Sequence, residues 1–313
     1  MTFHISPRDV IGVAVSTVLA TLALTLTGCG SAGSGPGRGE DNGALSVVAS
    51  TNVWANVVKS VAGDAVKVTT LIDSPSADPH SYESTPADAA AVTDADLVVF
   101  NGGGYDEFVA DILGTLDGKR TVNAFELAAR GEDAHAHGGE GGEHVWYELP
   151  AVEAVAAQVA EELGALLPEQ AETFTANAAT FRAKIEAIAA RLSVIGQANP
   201  GARVVLTEPV ASYLIEDAGL TDVTPAEFLE AVEEESDPPA AAVAATRQLV
   251  SGGQVSALIH NPQTETPITE QVRSDAEAAG VPVVEMTETL PEGMDYATWM
   301  TEQVTALSSA LER

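Results

Sequence analysis

The sequence predicts an α/β protein with two similar halves separated by a long helical segment. From Leu45 to Ala124, short runs of β-branched residues alternate with segments of helical length, and the same alternation resumes at Arg203. Residues 150–197 contain no strand-like run, and their apolar residues recur about every 3.6 positions. Strands that alternate with helices are typical of βαβ units, so we expect mostly parallel sheets flanked by helices.

The first half alternates strands and helices. The predicted strands are Leu45–Ala49, Val66–Ile72, Leu97–Phe100 and Thr121–Ala124, and the helices are Asn52–Ala62, Pro86–Thr93 and Tyr105–Leu116. Gly102-Gly103-Gly104 follows the third strand. This sequence lacks the lysine and the spacing of a phosphate-binding loop, so we interpret it as a strand-to-helix turn.

Pro168 divides the central segment into two predicted helices, Pro150–Leu167 and Glu169–Gln197. Proline is favoured in the first turn of a helix, so Pro168 marks the start of the second one. At 1.5 Å per residue, a helix of that length extends about 40 Å and could run along both halves. Asn199-Pro200-Gly201 ends this helix.

The second half repeats the order of the first, although no short repeat is visible. The predicted strands are Arg203–Leu206, Thr221–Val223, Val255–Ile259 and Val281–Met286, and the helices are Val210–Ala218, Pro239–Val250, Ile268–Ala279 and Tyr296–Leu311. The architecture is therefore α/β, helical spine, α/β.

The N-terminal segment has the features of an export signal followed by a tether. Arg8 precedes an apolar run, Val10–Leu26, which is too short for a comfortable spanning helix and ends in small residues. Cys29, the only cysteine, closes a Leu-Thr-Gly-Cys sequence that resembles a bacterial lipobox, whose cysteine is acylated. We predict a signal peptide over residues 1–28 and a lipidated, flexible tether over 29–44. A plain signal peptide or a membrane anchor with an unrelated cysteine is the alternative.

The composition argues against nucleic acid as a partner. The chain has 46 acidic residues against 14 Lys and Arg, a formal net charge of −32, and a nucleic acid would be repelled by it. A hydrophobic content of 45% is enough for a sizeable core. Cys29 has no second cysteine to pair with, so no disulfide within the chain contributes to stability.

Four potential metal ligands lie beyond predicted strands, where open parallel sheets bind their ligands. His80 follows the second strand of the first half, and His144 follows a Gly- and His-rich loop over 131–143. Glu208 and Glu288 follow the first and last strands of the second half. Taken alone, each is more often an ordinary residue. If the halves face each other, however, two nitrogen and two oxygen donors converge, a set that suits Zn²⁺ and accommodates Mn²⁺.

Other polar residues near these positions have two interpretations each. His135 and His137 make the loop metal-binding by composition, or the loop is simply acidic and disordered. His260 ends a strand and could line the crevice, as an alternative to Glu288 as a ligand. We interpret Glu233-Glu234-Glu235 as a solvated acidic patch or as a surface that contacts a partner protein.

Several motifs point to a known family. They are Val-Ala-Ser-Thr-Asn-Val-Trp from Val48, Asp-Pro-His-Ser-Tyr-Glu around His80, Asp-Leu-Val-Val from Asp96 and His-Val-Trp from His144. These motifs resemble the zinc- and manganese-binding lipoproteins of ABC importers, the ZnuA-like or TroA-like family. The likeness covers the chain from Leu45 to its C-terminus.

The resemblance implies two α/β lobes bridged by a long rigid helix, for which we predict the ranges 45–149, 150–198 and 199–313. The family's four ligands fall on His80, His144, Glu208 and Glu288. The resemblance further implies a receptor, not an enzyme, that captures an ion between the lobes and delivers it to an ABC permease. We expect a monomer that is exported and anchored to the outer face of the cell membrane by a lipid on Cys29.

Two departures from the family pattern bear on the metal. Glu208 stands where many zinc-specific members have histidine and where manganese binders commonly have glutamate. Glu288 stands where aspartate is usual. His135 and His137 add nitrogen donors nearby, which favours Zn²⁺, with Mn²⁺ as the alternative.

The alternatives belong to two other functional classes. A zinc metallohydrolase would need an open position for water, which four ligands do not leave, and the sequence has neither a His-Glu-x-x-His nor a Gly-x-Ser-x-Gly pattern. An adhesin or structural lipoprotein would hold a metal that never exchanges.

Overall fold

A four-stranded parallel sheet forms the centre of the first half. The computed structural model describes residues 45–74, 82–130 and 142–312. The strands are β1 (Leu45–Thr51), β2 (Val66–Ile72), β3 (Leu97–Phe100) and β4 (Thr121–Asn123), in the order β2-β1-β3-β4. All three pairings are parallel. Val47, Val48 and Val98 are buried, as expected where helices cover both faces of a sheet.

The helices of the first half pack on the two faces of this sheet. They are α1 (Asn52–Ala62), α2 (Pro86–Asp94), α3 (Glu107–Leu113) and α4 (Ala124–Ala128). α1 lies on the face of Val47 and Ala49, and α2 and α3 lie on the face of Val48. α2 begins with a capping box, in which Thr85 and Asp88 each accept a hydrogen bond from the other's backbone N–H.

The central segment folds into two long helices. They are α5 (Leu149–Leu166) and α6 (Ala171–Ala198), and a 3-10 turn over Pro168–Gln170 joins them. α6 has 28 residues, so it extends about 40 Å. It bonds to the first half through Asn177, whose Nδ2 donates to the carbonyl oxygen of Val61, and to the second half through Arg191, which donates to Thr305. Within the three described ranges, no helix combines the length and apolarity needed to cross a membrane.

The second half contains another four-stranded parallel sheet. Its strands are β5 (Arg203–Leu206), β6 (Thr221–Asp222), β7 (Ala257–His260) and β8 (Val283–Glu285), in the order β6-β5-β7-β8. Its helices are α7 (Ser212–Asp217), α8 (Ala226–Glu233), α9 (Ala240–Ser251), α10 (Pro267–Ala279) and α11 (Tyr296–Leu311). α10 starts like α2, with a threonine-based capping box and a proline at its first position.

The two sheets have the same strand order. In each sheet, the second strand in chain order lies on one side of the first strand, and the third strand lies on its other side. This creates a switch point between β1 and β3 in the first sheet and between β5 and β7 in the second. Crevices at the carboxyl ends of strands on either side of a switch point are where open α/β sheets bind ligands.

The halves meet along a packed interface. Asn52 exchanges two hydrogen bonds with the backbone of Leu290, at 3.0 and 2.9 Å. The backbone N–H of Tyr296 donates to Asn56 Oδ1 at 2.9 Å. One continuous apolar core contains buried residues of both sheets and of α5 and α6. The loop between β8 and α11 is therefore anchored by the first half of the chain.

The α/β fold class is confirmed, with local differences from the prediction. α3 starts at Glu107 rather than Tyr105, because the carboxylate of Asp106 accepts the backbone N–H groups of Asn101 and Gly102 and holds the preceding residues in a turn. A side chain at Gly102, where φ is +75°, would collide with Asn123, so this turn needs glycine. The short helices α4 and α8 were not predicted.

Candidate metal centre

His144 lies in the interior of the protein. It directly precedes a 3-10 helix, Val145–Tyr147, which leads into α5. The side chain of His144 is buried. The rings of Tyr105 and Trp146 lie beside the imidazole, with centroids 6.2 and 5.2 Å away. These aromatic neighbours shield one side of the imidazole from water.

The backbone that leads to His144 is held from both halves. Asn101, which follows β3, donates from Nδ2 to the carbonyl oxygen of Glu143 at 2.7 Å. Tyr213 of α7 donates from its hydroxyl to the carbonyl oxygen of Gly142 at 3.0 Å. Both bonds restrict how far the His144 backbone can move.

Glu208 lies two residues beyond β5, just before the 3-10 helix Pro209–Ala211. Its side chain is buried. Oε1 is 3.9 Å from Nε2 of His144. Oε2 accepts a hydrogen bond from Nδ2 of Asn261 at 2.8 Å and another from the hydroxyl of Thr264. Glu208 therefore turns one oxygen toward His144 and the other toward the β7–α10 loop.

Glu288 lies in the loop between β8 and α11 and is also buried. Its Oε1 accepts from Nδ2 of Asn261 at 2.8 Å, and its Oε2 accepts from the hydroxyl of Tyr105 at 2.9 Å. The backbone N–H of Glu288 donates to Oε1 of Gln263 at 2.5 Å. Glu288 is thus oriented by the β7–α10 loop and by a tyrosine of the first half.

These three side chains meet at one point. One ligand atom each of His144, Glu208 and Glu288 lies within 4.8 Å of the other two. One imidazole nitrogen and two carboxylate oxygens are donors that bind zinc and also accept manganese. Burying two carboxylates side by side is unfavourable, and a divalent cation between them would offset their repulsion. The cluster can therefore hold a divalent metal ion.

The strand order explains why Asn261 lies next to Glu208. Glu208 follows β5 and Asn261 follows β7, and these adjacent strands flank the switch point of the second sheet. The amide of Asn261 donates to both Glu208 and Glu288 and so bridges them. Sequence reasoning missed Asn261, although its place directly after β7 was a usable signal.

Tyr105 was also missed as a member of the site. Burial, together with the negative charge of Glu288, raises the pKa of Tyr105 well above its ordinary value. The hydroxyl therefore stays protonated and acts as a donor to Glu288 at any physiological pH. No local pattern in the sequence connects a residue of the β3–α3 turn with one that follows β8.

Glu233 differs from the solvated patch predicted for residues 233–235. Glu234 and Glu235 are exposed, but Glu233, at the end of α8, is half-buried. Its Oε1 lies 3.6 Å from Nδ1 of His144, on the side of the imidazole away from Glu208. Metal-binding histidines commonly direct their second nitrogen to a carboxylate, which sets the tautomer. Glu143 also lies within reach, so Glu143, His144 and Glu233 form a second cluster.

Several predicted residues lie outside the described ranges. They are Cys29, His80, His135 and His137. His260 is described and buried, but its nitrogens face Thr207 at 3.3 Å and Glu265 at 3.2 Å rather than the three-residue cluster. Its neighbour Asn261 makes the contacts to the two acids.

A comparison with protein families fits this architecture. The family model described as "ZnuA: Zinc-uptake complex component A periplasmic" matches residues 47–310. The chain belongs to the ZnuA family. The match runs from β1 into α11 and includes both sheets, the central helices and the three clustered residues.

Curated relatives of this ZnuA-family chain include binders of different metals. The zinc-binding lipoprotein AdcA of Streptococcus pneumoniae is 26% identical over 319 residues, which cover 96% of this chain and 61% of AdcA. The manganese-binding lipoprotein MntA of Bacillus subtilis is 27% identical over 178 residues, 56% of each chain. The chain thus spans about three-fifths of the length of these relatives.

Solved structures of the same fold are also similar. The periplasmic zinc-binding protein TroA of Treponema pallidum has a TM-score of 0.68 and 21% identity, with 87% of this chain and 100% of TroA covered. The Zn(II)-bound ZnuA-like domain of Streptococcus pneumoniae AdcA has a TM-score of 0.66 and 23% identity, with 87% and 100% covered. These matches confirm the ZnuA fold of the chain.

Proposed function

We propose that this chain is an extracytoplasmic receptor that captures Zn²⁺ and delivers it to an ABC permease. The observation that carries the proposal is the buried meeting of His144, Glu208 and Glu288, whose ligand atoms lie within 4.8 Å of one another. The three residues come from separate segments of both halves. An ion held there lies between the lobes and can be released when the lobes shift.

The complete ligand set that we propose is His80, His144, Glu208 and Glu288. Two imidazoles and two carboxylates fill a tetrahedral zinc site, whereas a catalytic zinc site keeps one position open for water. A filled site favours transport over hydrolysis. The chain therefore acts as a receptor rather than as an enzyme.

Zinc is preferred over manganese on chemical grounds. Sites with nitrogen donors bind Zn²⁺ more tightly than Mn²⁺ in the general affinity order of divalent metals. The relatives AdcA and MntA are named for zinc and for manganese, respectively, so family membership supports either ion. Mn²⁺ is accordingly the competitor to include in every titration.

Capture begins outside the buried site. The net charge of −32 raises the local concentration of cations around the protein. His135 and His137 serve as transient ligands that pass the ion inward. Because α6 bonds to both halves, release involves small shifts of lobes or loops rather than wide hinge bending.

The location and organisation of the chain follow from the same proposal. Residues 1–28 are a signal peptide, and a lipid on Cys29 followed by the tether 29–44 holds the protein on the outer face of the cell membrane. The lobes span 45–149 and 199–313, with the spine between them. Several relatives are named as lipoproteins, which supports this arrangement. The protein acts as a monomer that docks on its permease.

The test is elemental analysis of the purified protein together with competitive titration by Zn²⁺ and Mn²⁺. We expect one bound Zn²⁺ per chain and loss of tight binding in His144→Ala. Glu234→Ala, which removes an exposed acid next to Glu233, is the control and should bind normally. Failure of the purified chain to retain either ion would contradict the proposal, as would unchanged affinity in His144→Ala.

A further inference from the structure

The two oxygens of Glu208 have unequal surroundings. Oε2 accepts hydrogen bonds from Nδ2 of Asn261, at 2.8 Å, and from the hydroxyl of Thr264. Each carboxylate oxygen offers two lone-pair positions, so these two donors occupy both positions on Oε2. Oε1, which lies 3.9 Å from Nε2 of His144, is the oxygen directed toward the ion site.

Asn261 is held tightly enough to impose this arrangement. It is buried, and its backbone N–H donates to the hydroxyl oxygen of Thr207 at 3.2 Å. Its Oδ1 accepts from the backbone N–H of Gln263 at 3.0 Å. With the oxygen committed to a backbone donor, the side-chain NH₂ must face the acids, where it donates to Glu208 and Glu288.

Glu288 contrasts with Glu208. Its two oxygens accept from different donors, Oε1 from Nδ2 of Asn261 and Oε2 from the hydroxyl of Tyr105. In Glu208, by contrast, two donors share the single oxygen Oε2.

We propose that Asn261 and Thr264 are specificity-determining residues that limit Glu208 to one-oxygen ligation, so that the site selects Zn²⁺ over Mn²⁺. This inference rests on the proposed function. Zn²⁺ prefers four ligands in tetrahedral geometry, whereas Mn²⁺ favours a larger set of oxygen donors. A carboxylate that ligates through both oxygens would add one oxygen donor. Hydrogen bonds that occupy Oε2 withhold that donor from Mn²⁺.

Thr264→Val is the direct test, because it removes the hydroxyl and nearly preserves the shape. One lone pair of Oε2 is released, and we expect Mn²⁺ affinity to rise relative to Zn²⁺ affinity by about tenfold in competitive titration. Thr264→Ser retains a hydroxyl and should keep the ratio of the native protein. Thr246→Val is the matched control, since the buried Thr246 hydroxyl donates to the carbonyl oxygen of Ala242 within α9 and not to a proposed ligand.

The outcomes separate this inference from the function on which it rests. An unchanged Mn²⁺-to-Zn²⁺ affinity ratio in Thr264→Val, with tight zinc binding intact, overturns the specificity role of Thr264 and Asn261 alone. If the native protein binds neither ion, the proposed function fails and this inference fails with it.

A second measurement needs no variant. Co²⁺ can replace zinc, and its visible absorption is intense in four-coordinate sites and weak in six-coordinate ones. We expect the intense, tetrahedral type of spectrum from the native protein loaded with Co²⁺. A weak spectrum typical of six-coordination would overturn one-oxygen ligation by Glu208.

Discussion

The hydroxyl of Tyr105 donates a hydrogen bond to Oε2 of Glu288 at 2.9 Å, although 183 positions separate the two residues. Tyr105 belongs to the turn between β3 and α3 in the first half, and Glu288 belongs to the loop after β8 in the second. Both side chains are buried. A proposed ligand carried by one lobe is thus oriented by a donor from the other lobe, which couples the lobe interface to metal binding.

Tyr105→Phe should weaken zinc binding. Loss of a partner that orients a ligand typically costs 10–100-fold in metal affinity, and we expect about a tenfold loss here. The loss arises from orientation, because this hydroxyl donates directly to Oε2 of Glu288. Competitive titration against a chromophoric zinc chelator measures the change.

Tyr296→Phe is the matched control for this variant. It removes a buried hydroxyl whose bond goes to the carbonyl oxygen of Trp146 at 2.6 Å rather than to a proposed ligand. Its thermal stability should fall, but its zinc affinity should stay within about twofold of the native value. Equal affinity losses in both variants would show that Tyr105 acts through stability alone.

Glu233→Gln should also reduce zinc affinity. The carboxylate of Glu233 lies 3.6 Å from Nδ1 of His144, and a carboxylate in this place makes the imidazole a stronger donor through its other nitrogen. We expect a loss of about tenfold in the same titration. Glu234→Gln removes the adjacent exposed acid and should leave the affinity unchanged. Identical affinities for the two variants would argue against a role for Glu233.

Glu288→Gln should separate stability from binding. Glu208 and Glu288 are both buried within one cluster, so neutralising Glu288 removes a repulsion between two carboxylates in the metal-free protein. We expect a higher melting temperature without metal and a much smaller increase on addition of zinc. Calorimetry of metal-free and zinc-loaded samples tests both statements, since a ligand at 100 times its Kd adds about 2.7 kcal/mol to stability. A full zinc-induced increase in this variant would remove Glu288 from the ligand set.

His260 should make the metal-free protein less stable in mild acid. Burial lowers its pKa below the ordinary 6.5, even though Glu265 and Glu285 act in the opposite direction. Because the folded state binds the proton less readily than the unfolded state, the stability due to neutral His260 is complete above pH 6.5. It is lost as the pH falls from 6.5 toward the lower pKa of the folded state.

The measurement is chemical denaturation of chelator-treated protein between pH 5 and 8. His260→Gln should flatten the decline of the free energy of unfolding below about pH 6.5. In the native protein, the free energy of unfolding should decrease there as the pH falls, with a slope that corresponds to the uptake of at most one proton on unfolding. A native stability that rises as the pH falls through this range would contradict the assignment.

Much of the fold is encoded in local sequence patterns. The bounds of α1, β2, β3, β5 and α11 agree with the prediction, because apolar spacing and turn residues are local signals. The short helices α4 and α8 have 5 and 8 residues and little periodicity to detect. The strand order, and with it the switch point next to Glu208, depends on tertiary packing.

The site was less predictable than the fold. His144, Glu208 and Glu288 were selected by their places after strands and by a family resemblance, and the structure brings these three together. The residues that orient them, Tyr105 and Asn261, act through contacts between distant segments. Glu233 was interpreted as solvated because charge runs usually are, and only the packing of α8 brings it beside the imidazole.

The most direct test of a shared ion site is an anomalous difference map from crystals grown with zinc. We expect one strong peak at about 2.0–2.1 Å from Nε2 of His144 and about 2.0–2.2 Å from oxygens of Glu208 and Glu288, with His80 as the remaining ligand. A zinc-loaded crystal whose peak lies away from these side chains, or that shows no peak between the lobes, would contradict the account.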